Sequence, residues 1–310
     1  MTSPIEGYSE TEPVTALKSS QRKGSLVWRR LKRNGLGLAA LTAILLLVLT
    51  TGLADWLSPH RYDAQSACLS QPPGYCQGQL FLFGTDQLGQ DLFARTLKGG
   101  QTTLFIAFSA VLINLLLAIL LGSLSGYLAG MVDFILQRIV EILMAIPRLA
   151  LLMAVAYIIE SYTKGDYWSV YLGIVGVLAL VNWAPQARIV RGRVLALREE
   201  EYIMAARAGG AGDLHIMLKH ILPNLTGLLI VMATLALPDI IILESILSFL
   251  GLGVQEPWIS WGLLLQQETI PNLAQFWWYL SPVFLLFLTI TALSFLGDAL
   301  RDLFDLKAQA

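Results

Sequence analysis

The stretch AALTAILLLVL, residues 39–49, decides the fold class. Only Thr42 interrupts its apolar side chains, and no charge falls within it. A barrel strand alternates lipid-facing and lumen-facing residues, and this run has no such alternation, so it reads as a helix. Extended over residues 36–57, it is long enough for a span, which takes roughly 20 mainly apolar residues to cross about 30 Å of hydrocarbon.

Five further stretches approach or meet that length: residues 103–124, 139–159, 170–187, 225–250 and 279–296. Backbone groups in hydrocarbon must be hydrogen-bonded internally, which leaves helices as the solution for continuous apolar runs. Composition agrees. The 310 residues are 55% hydrophobic and 14% charged, with a mean hydropathy of +0.63, against about 25% charged in a soluble domain. The net charge of −1 points to no partner. The first run lies too far from the N-terminus for a cleaved signal peptide and reads as a retained anchor.

Lys and Arg concentrate in cytoplasmic flanks. Arg22, Lys23, Arg29, Arg30, Lys32 and Arg33 precede the first span. Arg188, Arg191, Arg193, Arg198, Arg207 and Lys219 separate the fourth from the fifth, and residues 251–280 hold neither Lys nor Arg. The sequence therefore predicts an all-α membrane protein with six transmembrane helices and both termini cytoplasmic. Residues 1–25, rich in Ser, Thr, Glu and Pro, read as a disordered cytoplasmic tail. Residues 26–57 carry the first span, 58–100 an external loop, 101–300 a core of five spans, and 301–310 a second cytoplasmic tail.

In the external loop Cys68 and Cys76 flank LSQPPGY. The Pro72-Pro73-Gly74 turn favours a disulfide in an oxidising compartment, with two free thiols as the alternative. Asp86 and Asp91 read as turn-capping groups rather than cation ligands.

The segment REEEYIMAARAGGAGDLHIMLKHILPN, residues 198–224, is the most informative polar stretch. Residues 198–208 read as one short helix with Glu199, Glu200 and Glu201 in its first turns, where the helix dipole favours negative charge. Ala205, Ala206 and Ala208 give a surface that another protein approaches closely. Gly209, Gly210 and Gly212 end that helix and allow a reversal. Asp213 suits the N-cap of a second helix ending near Leu222, and Pro223 marks a change of direction into the fifth span. The expected element is a cytoplasmic helix–turn–helix joined stiffly to a membrane helix. An amphipathic loop resting on the membrane is the alternative from the residues alone.

No G-x-x-x-x-G-K-[ST] loop cradles a nucleotide. No H-E-x-x-H or G-x-S-x-G pattern appears either, so the chain does not read as an enzyme.

With Ala205-Ala206, Gly210 and Leu222-Pro223 at their spacing, the segment resembles the EAA loop of ABC importer permeases. Met204 stands where that pattern has Glu, and His220 where it has Ile. FGTDQLGQD (83–91), IPRLALL (146–152), ILESILSFLGLGVQEP (242–257), SWG (260–262) and GDALRDLFD (297–305) extend the resemblance to nearly everything from Ser25 onward. They are similar to the dipeptide/oligopeptide branch in its second-subunit type, with Gln90 in place of the usual Arg.

The resemblance implies a bacterial inner-membrane permease subunit forming half of the translocation pathway for di- or oligopeptides. Nickel or another small solute is the alternative cargo. It implies a second homologous permease as heterodimer partner, two cytoplasmic ABC ATPases that bind ATP and Mg, an external solute-binding protein and surrounding lipid. This chain would hold no cofactor or metal and no nucleic acid. The coupling residues it implies are Glu201, Ala205, Ala206, Gly209, Gly210, Asp213, Leu222 and Pro223.

Charges at membrane depth are costly and face a protein interior or a water-filled path. Asp239 and Glu244 are the expected pathway-lining residues, while Glu141 and Arg148 read as interfacial or snorkelling. Trp258, Trp261, Trp277 and Trp278 suit interfacial anchors or an outer gate. A secondary transporter would require inverted repeats, which the sequence lacks. An intramembrane enzyme would place reactive groups at depth, yet His60, His215 and His220 are all expected in loops.

Overall fold

The computed structural model describes residues 34–163, 167–267 and 276–305. The expected tail at 1–25 and residues 306–310 lie outside them. The chain begins its described course with α1 (Gly35–Gly52), capped by Asn34, whose side chain accepts from the Gly37 N–H at 3.1 Å. A short α2 (Ala54–Leu57) leads into a loop holding a small antiparallel hairpin, β1 (Gly74–Cys76) and β2 (Gln79–Phe81), with Gly74 opposite Phe81.

Asp91 then caps α3 (Leu92–Leu128) by accepting from the Phe93 N–H. This helix starts inside the stretch expected to be external loop, because its first turns are buried by protein: Leu92, Ala94 and Arg95 are all under 4% exposed. At 37 residues it runs about 55 Å at 1.5 Å per residue.

The third expected span, 139–159, is not one helix. α4 (Gly130–Ala145) and α5 (Arg148–Thr163) meet at a 93° bend. Pro147 explains the break: its ring disfavours helical backbone at the preceding residue, and Ile146 is extended at φ −85°, ψ 135°. α6 (Tyr167–Arg198) continues well past the expected end at 187, so Arg188, Arg191 and Arg193 sit on a helix rather than in a loop. α7 (Glu201–Ala208) and α8 (Asp213–Ile216) follow. A π-helical turn, Met217–Ile221, then joins α8 to α9 (Leu222–Phe249), and α10 (Trp261–Gln267) and α11 (Trp277–Asp305) complete the fold.

Among the described residues, five helices are long and apolar enough to cross a membrane: α1, α3, α6, the continuous run from Asp213 to Phe249, and α11. The bent α4–α5 pair is the sixth candidate. α3 packs most intimately on α6, α9 on α11 and α3, and α1 along α11. The α3–α6 contact depends on Gly122 and Gly126. A Cβ at Gly122 would stand 2.5 Å from the Ala187 carbonyl oxygen, and one at Gly126 would stand 2.8 Å from that of Arg191. Small residues four apart let membrane helices approach this closely.

The core has two main parts. One gathers Ile106, Val111, Leu178, Ile241, Leu247 and Trp261 toward the disulfide-loop end. The other gathers Ala118, Val190, Val194, Ile203, Ile216 and Leu225 at the opposite end. Large apolar side chains such as Leu45, Phe105, Leu112, Leu116 and Phe287 are exposed along the spans, as a lipid-facing surface requires.

Candidate coupling site

The segment 198–224 folds differently in detail from its sequence reading. The helix does not run unbroken from Arg198. α6 ends there, Glu200 turns extended at ψ 142°, and α7 starts at Glu201. Only Glu201 therefore lies in the first turn of α7, with Arg207 in its last turn, each at the dipole end that favours it. Gly210 N–H bonds to the Arg207 carbonyl and Ala211 N–H to the Ala206 carbonyl. Gly210 has φ +86°. This is a Schellman closure with its left-handed position on glycine, where a Cβ would be strained. Gly209 precedes it at φ −75°.

Asp213 is not the N-cap of the next helix; Gly212 is, and no side chain caps it. The Asp213 carboxylate is drawn away because it accepts a 2.6 Å hydrogen bond from the Tyr127 hydroxyl. The change of direction expected at Pro223 is likewise absent, since the helix continues from Asp213 to Phe249. Proline removes one backbone donor, and the π turn just before it absorbs the mismatch. The Asn224 amide donates to the His220 carbonyl at 2.7 Å and to the Tyr202 hydroxyl at 3.1 Å, tying α7 to α9. His215 and His220 lie on α8 and in the π turn, not in loops.

Two sets of contacts weld this element to the membrane helices. Ile203, Ile216 and Ile221 are fully buried beside Val190, Val194 and Leu197 of α6, each contributing about 1.5–3 kcal/mol by burial. Leu222 packs half-buried against the same cluster. The second set centres on the end of α3. The Tyr127 hydroxyl also accepts from Arg207 at 3.3 Å, with that guanidinium 5.7 Å from the ring centroid. Arg198 donates to the Tyr127 carbonyl at 3.2 Å. Nearby, Arg191 grips Asp133 through two 2.6 Å bonds, and Ser125 donates to the same carboxylate.

Outside this weld, Ala205, Gly209, Gly210 and Pro223 are exposed, and Ala206 is half-buried. Met204, Leu214 and Leu218 are at least half exposed, and Glu201, Arg207 and Lys219 are exposed too, so the outward side mixes small, apolar and charged residues. Sequence reasoning missed Tyr127, Asp133 and Arg191. Their only sequence signal is polar groups at the ends of apolar runs, which does not pair them.

At the opposite end, a disulfide joins Cys68 to Cys76. Asp86 accepts from the Leu88 and Gln90 N–H groups, and Arg95 donates to Asp86 at 3.0 Å and to Gln267 at 2.6 Å. Burial pushes the Asp86 carboxyl up from its usual range, while the Gln90 N–H and Arg95 pull it back. His60 bonds Asp91 at 2.8 Å. Among the described residues no group of three or more His, Cys, Asp or Glu could hold a metal.

The two expected pathway residues separate. Glu244 does not face a cavity: it is fully buried and accepts from Ser248 at 2.8 Å, with Ser245, Ser260 and Thr103 also bonded to it. The Ser260-Trp261 turn folds over it, Trp261 N–H donating to Thr103. Asp239 is open, and it pairs at 2.7 Å with Arg148, the first residue of α5. Arg148 is thus engaged across the bundle rather than snorkelling, whereas Glu141 pairs locally with Arg138. Trp261 and Trp278 are buried in the chain instead of anchoring it at an interface.

Fold and site define a multi-pass helical membrane subunit in which a peripheral helix–turn–helix is rigidly continuous with a span. Residues 118–309 match the family described as binding-protein-dependent transport system inner membrane component. Residues 24–73 match the N-terminal TM domain of oligopeptide transport permease C. The chain is 38% identical to the dipeptide transport system permease protein DppC of Bacillus subtilis (strain 168), over 90% of this chain and 84% of that protein. It is 37% identical to the oligopeptide transport system permease protein OppC of Escherichia coli (strain K12), over 98% and 96%. Among solved structures, the MetNI methionine ABC transporter in inward-facing conformations shares the fold. The TM-score is 0.53 at 21% identity, over 67% of this chain and 96% of that one. The chain belongs to the family of binding-protein-dependent transport system inner membrane components. It is a multi-pass inner membrane protein, of the permease-subunit type of ABC transporters.

Proposed function

We propose that this chain forms half of the translocation pathway of an ATP-driven importer of di- or oligopeptides and takes its motive force from a separate ATPase through residues 198–224. Both termini and that segment face the cytoplasm, as the placement of Lys and Arg favours. The second half of the pathway is a homologous permease, so the pair is a heterodimer. Two ATPase subunits bind ATP and Mg, and a solute-binding protein delivers cargo on the disulfide-loop side. The peptide cargo is supported by the identity of the DppC and OppC relatives.

The observation that carries the coupling role is the combination of an exposed small-residue face with a buried weld. Ala205 and Gly210 are open to a partner, while Ile203 and Ile216 are fully buried against α6. A push on that face reaches α6 through these buried contacts and α9 through the continuous helix from Asp213.

Co-purification tests this directly. Expressed with its neighbouring genes, the chain is expected to carry an ATPase subunit through affinity purification and, in proteoliposomes, to take up labelled peptide only with ATP inside. An ATPase that never associates would end the reading.

A further inference from the structure

The open ion pair between Arg148 and Asp239 lies in a cleft of about 330 Å³, at the lower end of the roughly 300–1,000 Å³ of small-molecule pockets. Four helices, α4, α5, α6 and α9, meet there, and prolines lie beside it: Pro147 between α4 and α5, Pro185 within α6 and Pro238 within α9. Proline removes the helical donor to the carbonyl four residues back, which for Pro185 is Val181, itself a lining residue. Proline at membrane depth is tolerated where neighbouring helices, side chains or water satisfy the backbone groups it frees. The Arg148 side chain is 40% exposed and that of Asp239 is 55% exposed. Charges so open at this depth do not face lipid.

Two residues that line the cleft also carry buried polar atoms without partners. Arg148 Nε and Gln186 Oε1 are buried with no hydrogen bond among the described residues, although buried polar atoms are ordinarily satisfied. Asn182 adds a second amide, and Met144 and Ile240 supply an apolar wall. A cation, an anion and the side chains of Asn182 and Gln186 thus line one small space.

We propose that this cleft is a transit site for a dipeptide-sized zwitterion, with Arg148 receiving the carboxylate and Asp239 the ammonium group. The inference rests on the peptide-permease reading above. Between transport events the two side chains neutralise each other at 2.7 Å. A solute carrying both charges compensates both partners when they separate. A lone ion compensates one and leaves the other without its counter-ion, which disfavours leak of simple salts.

The test uses the complete complex in proteoliposomes, with labelled dialanine as the probe. If the unaltered complex moves neither dialanine nor trialanine with ATP, the peptide reading itself fails. Given uptake, the double variant Arg148→Met with Asp239→Leu removes both charges without stranding either. We expect dialanine uptake to fall by about tenfold or more while binding-protein-stimulated ATP hydrolysis stays within about twofold. Uptake within about twofold of the unaltered complex would show a packing tie only and overturn the proposal.

A second variant covers the case in which the double one does not assemble. Both native cysteines are in the disulfide, so Asp239→Cys supplies the sole free thiol of this chain, and labelling is read on this chain alone. It is expected to react with a membrane-impermeant charged thiol reagent in the assembled complex and to be protected by dialanine. An unreactive thiol, or one dialanine does not shield, overturns the proposal.

Discussion

The Tyr127 hydroxyl, at the end of α3, donates a 2.6 Å hydrogen bond to the Asp213 carboxylate in the first turn of α8. These residues are 86 positions apart, and their contact joins the peripheral element to a span other than the one it continues into. Motion imposed on α8 is therefore shared between α9, through the backbone, and α3, through this bond.

Tyr127→Phe removes the hydroxyl that meets both Asp213 and Arg207 and leaves the ring in place. A hydrogen bond to a charged group contributes about 1.5–3 kcal/mol. The variant is expected to assemble, to hydrolyse ATP, and to move several-fold fewer peptides per ATP. The check is the ratio of uptake to hydrolysis in one proteoliposome preparation, and an unchanged ratio contradicts the role.

Gly126→Leu should separate α3 from α6, since a Cβ alone stands 2.9 Å from that of Val194. Overpacking of a close contact costs about 1–3 kcal/mol or more. Thermal unfolding in detergent is expected to shift down clearly, whereas Gly192→Ala, where a Cβ meets nothing within 4 Å, should leave it unmoved.

Arg95 and Glu256 make a second contrast. Arg95→Met leaves buried Asp86 without its cation, a loss of about 3–5 kcal/mol. Glu256 is half exposed in its pair with Arg95, so Glu256→Gln is expected to cost less than about 1 kcal/mol. Equal effects in a stability assay would refute the assignment of Arg95 as the buried anchor.

Glu244→Ala strands the hydroxyls of Ser248, Ser260 and Thr103 around a cavity, at about 1–3 kcal/mol for each unpaired buried group. Glu244→Gln keeps an acceptor and should retain most of the stability. A comparison of the two by thermal unfolding separates hydrogen bonding from charge.

Most spans and the turn at Gly210 were legible because they rest on local signals, unbroken apolar runs and a glycine after a short helix, whereas the coupling role of 198–224 came from the family resemblance. What escaped the sequence depended on contacts between distant positions. Asp213 has the composition of an N-cap, but Tyr127 competes for its carboxylate. Glu244 looked like a pathway acid, yet Ser260 and Thr103, from elsewhere in the chain, enclose it. Residues 139–159 read as one span despite Pro147, and only the fold shows two halves meeting at 93°. Arg148 and Asp239 were each visible as costly charges, and only the fold made them a pair.

The central claim is that residues 198–224 transmit work from the ATPase, and Gly210→Val in the complete complex tests it most directly. Gly210 has open space around it but φ +86°, so valine strains only the closure between α7 and α8, by about 1–3 kcal/mol. The account predicts normal insertion and abolished ATP-driven peptide uptake in proteoliposomes. Uptake at the unaltered rate would contradict it.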